Sequence, residues 1–151
     1  MKIRKMKIAD YDVVYKLWRK TSEMGLNDID DSREGIERYL KRNPRTCFVA
    51  ELEGEIVGAI MAGHDGRRGY IHHACVDPTL WNNQIGTQIV DAALEALRLE
   101  GISKIALVVF ERNVHGNGFW ERMGFTTRPD LIYRNKALIN LSPVGMDQVD
   151  E

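Results

Sequence analysis

The chain has 151 residues, of which 44% are apolar and 28% charged, and a formal net charge of −1. One domain of this size buries roughly 68–70% of its unfolded surface, enough for a core without disulfides or a structural metal. The near-neutral balance removes the electrostatic case for nucleic acid or an anionic membrane as partner. The two cysteines, Cys47 and Cys75, fall in apolar strand-like runs and read as buried free thiols in a reducing compartment. The four histidines have no zinc-type spacing with cysteine, so no metal is expected. No apolar run reaches membrane-spanning length and residues 1–12 lack a signal-peptide core, so the expectation is a cytoplasmic protein.

In chain order, residues 2–6 alternate as a first strand. Asp10 then caps a helix that carries Val14, Leu17 and Trp18 on one face. A polar, acidic stretch with Glu23, Asp28, Asp30 and Asp31 leads to a second helix. Asp31 or Ser32 is its cap, Ile36, Tyr39 and Leu40 are its apolar stripe, and Asn43-Pro44 is its stop. Residues 46–52 and 55–62 read as strands joined by a Glu53-Gly54 turn. A glycine-rich basic turn, 63–69, precedes a strand at 70–76. Strict alternation there places Tyr70, His72, Ala74 and Val76 on one face and Ile71, His73 and Cys75 on the other.

An amphipathic helix from about Gln84 to Glu100 ends at Gly101. Residues 104–110 form a nearly continuous apolar run, the pattern of a strand covered on both faces. A helix weakened by Gly116 and Gly118 follows Asn113, and residues 125–127 and 132–138 supply two last strands. The expected order is β-α-α-β-β-β-α-β-α-β-β, a mixed α/β layer structure with a mostly antiparallel central sheet flanked by helices. One domain spans 1–138, and 139–151 is a tail without clear periodicity.

Two stretches carry chemistry. Residues 76–86 read VDPTLWNNQIG, across a strand end, a loop and a helix start; residues 113–125 read NVHGNGFWERMGF. The first resembles the pattern Val-x-Pro-x-x-Arg-Gly-x-Gly-Ile-Gly of the GNAT N-acetyltransferases, matching at Val76, Pro78, Ile85 and Gly86. Trp81, Asn82 and Gln84 stand where Arg, Gly and Gly are usual. The second resembles the family's Asn-x-x-Ala-x-x-Phe-Tyr-x-x-x-Gly-Phe, matching at Asn113, Phe119, Gly124 and Phe125, with Trp120 in the tyrosine position. The segments around residues 25–40 and 63–69 are similar to a bacterial branch, the YpeA-like acetyltransferases.

The resemblance implies acetyl-CoA as acyl donor, a primary amine of a small molecule or protein as acceptor, and no metal. It implies a pyrophosphate site built from Asn82, Asn83, Gln84, Ile85, Gly86 and Thr87. A helix N-terminus offers free N–H groups and partial positive charge to phosphate. It further implies that backbone groups at Cys75 and Val76 bind the pantetheine arm, with Asn113 and Trp120 beside it. His72, four residues before the motif valine, matches a position where some members hold a general base, and an imidazole suits that task near neutrality. His73 reads as structural. Asp28 and Asp30 would attract a cationic amine, or would belong to a solvated loop with a helix cap. A homodimer is compatible with the family.

Three functions remain open at this level: an N-acetyltransferase, a non-catalytic CoA-binding or regulatory protein on the same scaffold, and an interaction module with a dead cleft. His72 and Asn113 support the first, and Trp81, Gln84 and Trp120 support the second.

Overall fold

The computed structural model describes residues 1–21 and 23–145, so the expected tail lies outside the described residues from 146 onward. Strands β1 (Lys2–Lys5), β2 (Phe48–Leu52), β3 (Glu55–His64), β4 (Gly69–Val76) and β5 (Ile105–Ala106) form one sheet in sequence order. The first four are antiparallel neighbours and β5 lies parallel to β4. Helices α1 (Tyr11–Arg19) and α2 (Arg33–Arg42) connect β1 to β2; α3 (Ile85–Leu99) connects β4 to β5; α4 (Val114–Arg122) follows β5. This is the expected mixed α/β architecture.

Each element ends where its chemistry requires. Asp10 precedes α1 but its carboxylate takes the Lys7 N–H at 2.8 Å and both arms of the Arg4 guanidinium, at 2.9 and 2.8 Å, instead of capping α1. Arg4 also reaches Glu51 at 2.7 Å, tying β1 to β2 and to the start of α1. Ser32 is the cap of α2, its hydroxyl accepting the Gly35 N–H at 3.1 Å. The β2–β3 turn has Glu53 at φ 52° and Gly54 at φ 82°, the doubly left-handed geometry that suits a two-residue hairpin. Helix α3 closes with Gly101 at φ 83°, while Ile102 N–H reaches the Leu97 carbonyl at 3.1 Å and Gly101 N–H the Arg98 carbonyl at 3.0 Å, a Schellman pair.

The sheet separates two apolar layers. Val14, Leu17 and Trp18 of α1 and Ile36 and Leu40 of α2 pack with Cys47, Val49, Ala59, Met61 and Cys75 on one face. Ile85, Ile89, Val90, Ala93 and Leu97 of α3 pack with Ala50, Ile60, Ala62 and Ile71 on the other. Each buried valine, leucine, isoleucine or methionine among them contributes roughly 1.5–3 kcal/mol. Both thiols are free and buried.

Three local expectations differ from what forms. The alternation of β4 is interrupted: His73 pairs with Met61 and Ile71 with Ala62, so His72 is an extra, bulged residue. Only residues 105–106 of the 104–110 run are strand, and exposure alternates along it, because α3 covers one face and nothing comparable covers the other. Among the described residues no strand follows α4: the closing strands expected at 125–127 and 132–138 lack a ladder, since β5 ends at Ala106 and offers no longer edge to pair with. Leu131, Ile132, Tyr133 and Leu138 stay exposed.

Helix α2 fits under the acidic loop only because residue 35 is glycine. A Cβ there would lie 2.4 Å from both the Ile29 and Asp30 carbonyl oxygens. Gly35→Ala is therefore expected to lower stability by roughly 1–3 kcal/mol, read as a lower urea midpoint at unchanged slope.

Candidate active site

Beyond Tyr70, β4 has a strand partner on one side only among the described residues. It pairs with β5 at Gly69–Ile105 and Tyr70–Ala106, and then the two strands part. The gap widens into an open cleft of about 1930 Å³, bounded by the 23–31 loop and α2 on one side and by the start of α3 and α4 on the other. His72, Cys75, Val76, Asn82, Gln84, Ile85, Gly86, Thr87, Asn113, Trp120 and Asp30 all line it. Asn83 and Asp28 do not: the Asn83 amide donates to the Leu80 carbonyl at 2.9 Å, and the Asp28 carboxylate takes the Ser142 N–H at 2.7 Å. Asp28 N–H donates in turn to the Ser142 carbonyl at 3.0 Å and Val144 N–H to the Leu26 carbonyl at 3.0 Å, so 142–144 run against this loop.

The β4–α3 loop is shaped by short local bonds. Asp77 accepts the Thr79 N–H at 3.0 Å and the Lys20 ammonium at 3.0 Å, fastening the loop to the end of α1. Lys20 and the Thr79 amide together hold the Asp77 carboxyl below its usual range. Asn82 and Gln84 adopt φ 70° and 64°, both left-handed. These are the two positions where the motif usually carries glycine, so the chain keeps the glycine backbone without the glycines. Asparagine tolerates this region well; glutamine is held there against its preference. The Gln84 side chain makes no cap bond, and the first helical bond of α3 runs from Gln88 N–H to the Gln84 carbonyl at 3.1 Å. The amides of Ile85, Gly86 and Thr87 precede that bond and point out of the helix start. Gly86 has no room for a side chain other than against the Phe119 ring, 3.3 Å from where a Cβ would sit.

Opposite, the Asn113 side chain caps α4 by accepting the Gly116 N–H at 2.9 Å. Trp120 packs edge-on against Phe119 and Phe125, with centroids at 5.0 and 5.1 Å. Across the mouth, the Trp81 and His115 rings stack at 3.8 Å and 9°, and Trp81 Nε1–H donates to the Val76 carbonyl at 3.0 Å. Both rings line the cleft, a contact between a loop and the first turn of α4 that hydrophobic periodicity does not encode.

The bulge puts both histidines on the α1–α2 side. His72 meets the Tyr39 ring edge-on at 5.3 Å and the Tyr70 ring at 4.6 Å. His73 Nε2 lies 2.6 Å from Asp31 Oδ1, and its ring meets Trp18 edge-on at 4.9 Å. The expected placement of the two on opposite faces is thus corrected by one inserted residue. Burial pushes His72 below its ordinary pKa of 6.5, with the neighbouring His73 adding to that and Asp31 and Asp30 opposing it. Asp31 also takes the Asn27 N–H at 2.8 Å, and its carbonyl accepts the Tyr11 hydroxyl at 2.7 Å. Asp31 and His73 therefore anchor the acidic loop to β4. Asp30 accepts the Asn27 amide at 2.9 Å yet stays exposed to the cleft. Burial pushes the Cys75 thiol up to about 12, so it is no nucleophile at neutral pH. Among the described residues no cluster of histidine, cysteine and carboxylate is arranged to hold a metal ion.

This fold is that of known acetyltransferases. The PaiA N-acetyltransferase from Thermoplasma acidophilum, solved in complex with coenzyme A, superposes with a TM-score of 0.74, covering 84% of this chain and 90% of that one at 17% identity. Residues 11–125 match the Acetyltransferase (GNAT) family, and the chain belongs to that family. An acetyltransferase of Pectobacterium atrosepticum is 34% identical over 139 residues, covering 92% of this chain and 96% of its own. One of Yersinia enterocolitica is 31% identical over the same length and coverage.

If the left-handed backbone at Gln84 is held by the fold, Gln84→Gly should raise stability by roughly 1 kcal/mol, seen as a higher urea midpoint. A decrease would mean that the glutamine side chain contributes more than its backbone costs.

Proposed function

We propose that this chain moves an acetyl group from acetyl-CoA to a primary amine by direct attack of the amine on the thioester. The observation that carries the reading is one continuous cleft joining three features: the free amides at the start of α3, the open edge of β4 at Val76, and His72. Acetyl-CoA supplies the activated thioester. The Ile85, Gly86 and Thr87 amides and the α3 dipole receive the pyrophosphate, each charge-assisted bond being worth about 1.5–3 kcal/mol. Asn82 helps shape that loop through its left-handed turn, Asn83 braces it from outside, and Gln84 sets the helix start. The Val76 backbone, which faces away from β3, binds the pantetheine arm as an added strand, while Cys75 beside it lines the cleft and pairs with Ala59 of β3; Asn113 and Trp120 lie along the arm's other side.

Asp30, on the cleft wall, draws in the protonated amine, while Asp28 serves the same loop by holding residue 142. His72 removes a proton from the amine, either directly or through one water, and leaves it free to form the new C–N bond. The C–S bond then breaks, the electron pair departs with sulfur, and the nitrogen gives its second proton to water to leave the neutral amide. An indole N–H is not an acid at neutral pH, so Trp120 cannot protonate that sulfur. A thiol pKa near 8.5 lets the thiolate leave and take its proton from water. The reading requires neither a metal nor nucleic acid, and a cytoplasmic supply of acetyl-CoA suits it. Among the described residues no helix is long and apolar enough to cross a membrane.

One observation favours the second reading, a non-catalytic CoA-binding protein: the cleft carries the Trp120 indole, packed between Phe119 and Phe125, in the position where an acidic hydroxyl would stand. Amine-dependent release of free thiol from acetyl-CoA separates the two. Transfer predicts release that His72→Ala cuts by about a hundredfold or more in kcat/KM. It also predicts a pH profile whose acid limb is centred below 6.5, because the neutral base is lost only as pH falls through the lowered His72 pKa. That limb should vanish in His72→Ala. Binding without any amine-dependent release would leave the second reading.

A further inference from the structure

We infer that Arg38 and Arg42 of α2 seat an anionic group on the acceptor, so that the substrate is an amine that also carries a carboxylate or a phosphate. The inference rests on the acetyl-transfer reading and names its acceptor class. The two residues stand four apart on one helix, which puts them on the same face with about 5–6 Å between their Cβ atoms. Both line the cleft together with Tyr39, whose ring touches that of His72 at 5.3 Å. The guanidinium pair therefore flanks the residue that packs on the proposed base.

Neither arginine has an ion-pair or hydrogen-bond partner among the described residues, whereas Arg4, Arg33, Arg45, Arg98, Arg112 and Arg128 each meet a carboxylate. Of the nearby carboxylates, Asp31 on the cleft wall is held by His73 at 2.6 Å and Glu37 on the same helix by Lys41 at 3.2 Å, while Asp30 makes no ion pair with either arginine and keeps its charge toward the cleft. Two unneutralised guanidinium forks in a cleft fit the paired oxygens of a carboxylate or phosphate and concentrate anions there.

The cofactor's own phosphates do not account for this pair. The Tyr39 hydroxyl lies over Gly63, which pairs with Tyr70 near the start of β4, whereas the α3 amides follow Val76 at the strand's end. Six residues of strand separate those ends by roughly 20 Å. With Asp30 on the same wall, the site presents opposite charges to the two ends of a zwitterion.

The test uses three amines, ethanolamine, O-phosphoethanolamine and β-alanine, with the intact protein and saturating acetyl-CoA. Thiol release and, separately, calorimetric binding of each amine are measured on wild type, on Arg38→Gln/Arg42→Gln, and on Lys41→Gln. Lys41 lies on the same helix, is paired with Glu37 and does not line the cleft. The expected result is that at least one anionic amine exceeds ethanolamine by about tenfold in kcat/KM, through KM. The double variant should erase that margin and Lys41→Gln should keep it. Which anionic amine shows the margin separates phosphate from carboxylate. Arginine-dependent binding of an anionic amine with no thiol release would uphold the seat and refute the transfer reading. Equal use of all three amines, a margin that survives in the double variant, or no binding and no turnover of either anionic amine would each overturn the inference.

Discussion

The site depends on β4 losing its second neighbour. A strand inside a sheet spends its backbone N–H and C=O groups on both flanks; one that parts from its neighbour must satisfy them with water, side chains or a ligand. Here β4 keeps β3 along its whole length but keeps β5 for two residue pairs only. Everything on the cleft wall follows from that parting: the open edge at Val76, the loop that turns away into α3, and the space between α2 and α4. The bulge at His72 is the second consequence of the same strand, since one inserted residue brings two consecutive histidines to the α1–α2 side. One of them is then committed to Asp31, while the other packs against the Tyr39 and Tyr70 rings.

The altered loop is best weighed by magnitude. Trp81 holds two contacts that an incoming pantetheine arm would have to displace: a hydrogen bond to the Val76 carbonyl and a stack on His115. The first is worth about 0.5–1.5 kcal/mol net and the second about the same. Amides at a helix N-terminus that bind a charged phosphate return about 1.5–3 kcal/mol each. The clasp therefore weakens ligand entry by an amount that the helix start can offset, and the missing glycines have not cost the loop its left-handed backbone at Asn82 and Gln84.

Much of this was legible in the sequence, because hydrophobic period and turn chemistry act locally. Val14, Leu17 and Trp18 face the core as their spacing requires, Glu53-Gly54 makes the hairpin, and Gly101 stops α3. Of the loop residues that the motif around Val76 singles out, Val76, Asn82, Gln84, Ile85 and Gly86 line the cleft and Asn83 does not. What was not readable depends on contacts between distant parts of the chain. The pairing of His73 with Asp31 spans 42 residues, and only the bulge reveals it. The closing strands at 132–138 have strand-like alternation, but a strand also needs an edge, and the short β5 does not extend one. Arg38 and Arg42 carried no signal in the sequence, because what sets them apart is the cleft wall they line and the lack of a carboxylate partner among the described residues.

The central claim is that the β4–α3 junction binds acetyl-CoA through its pyrophosphate despite Trp81 and Gln84. Calorimetric titration of acetyl-CoA beside pantetheine, which lacks the pyrophosphate, tests it most directly. The account predicts saturable acetyl-CoA binding in the micromolar range, about −8 kcal/mol, and weaker binding of pantetheine by a factor of ten or more. No detectable heat at millimolar acetyl-CoA, or equal affinity for the two ligands, would contradict it.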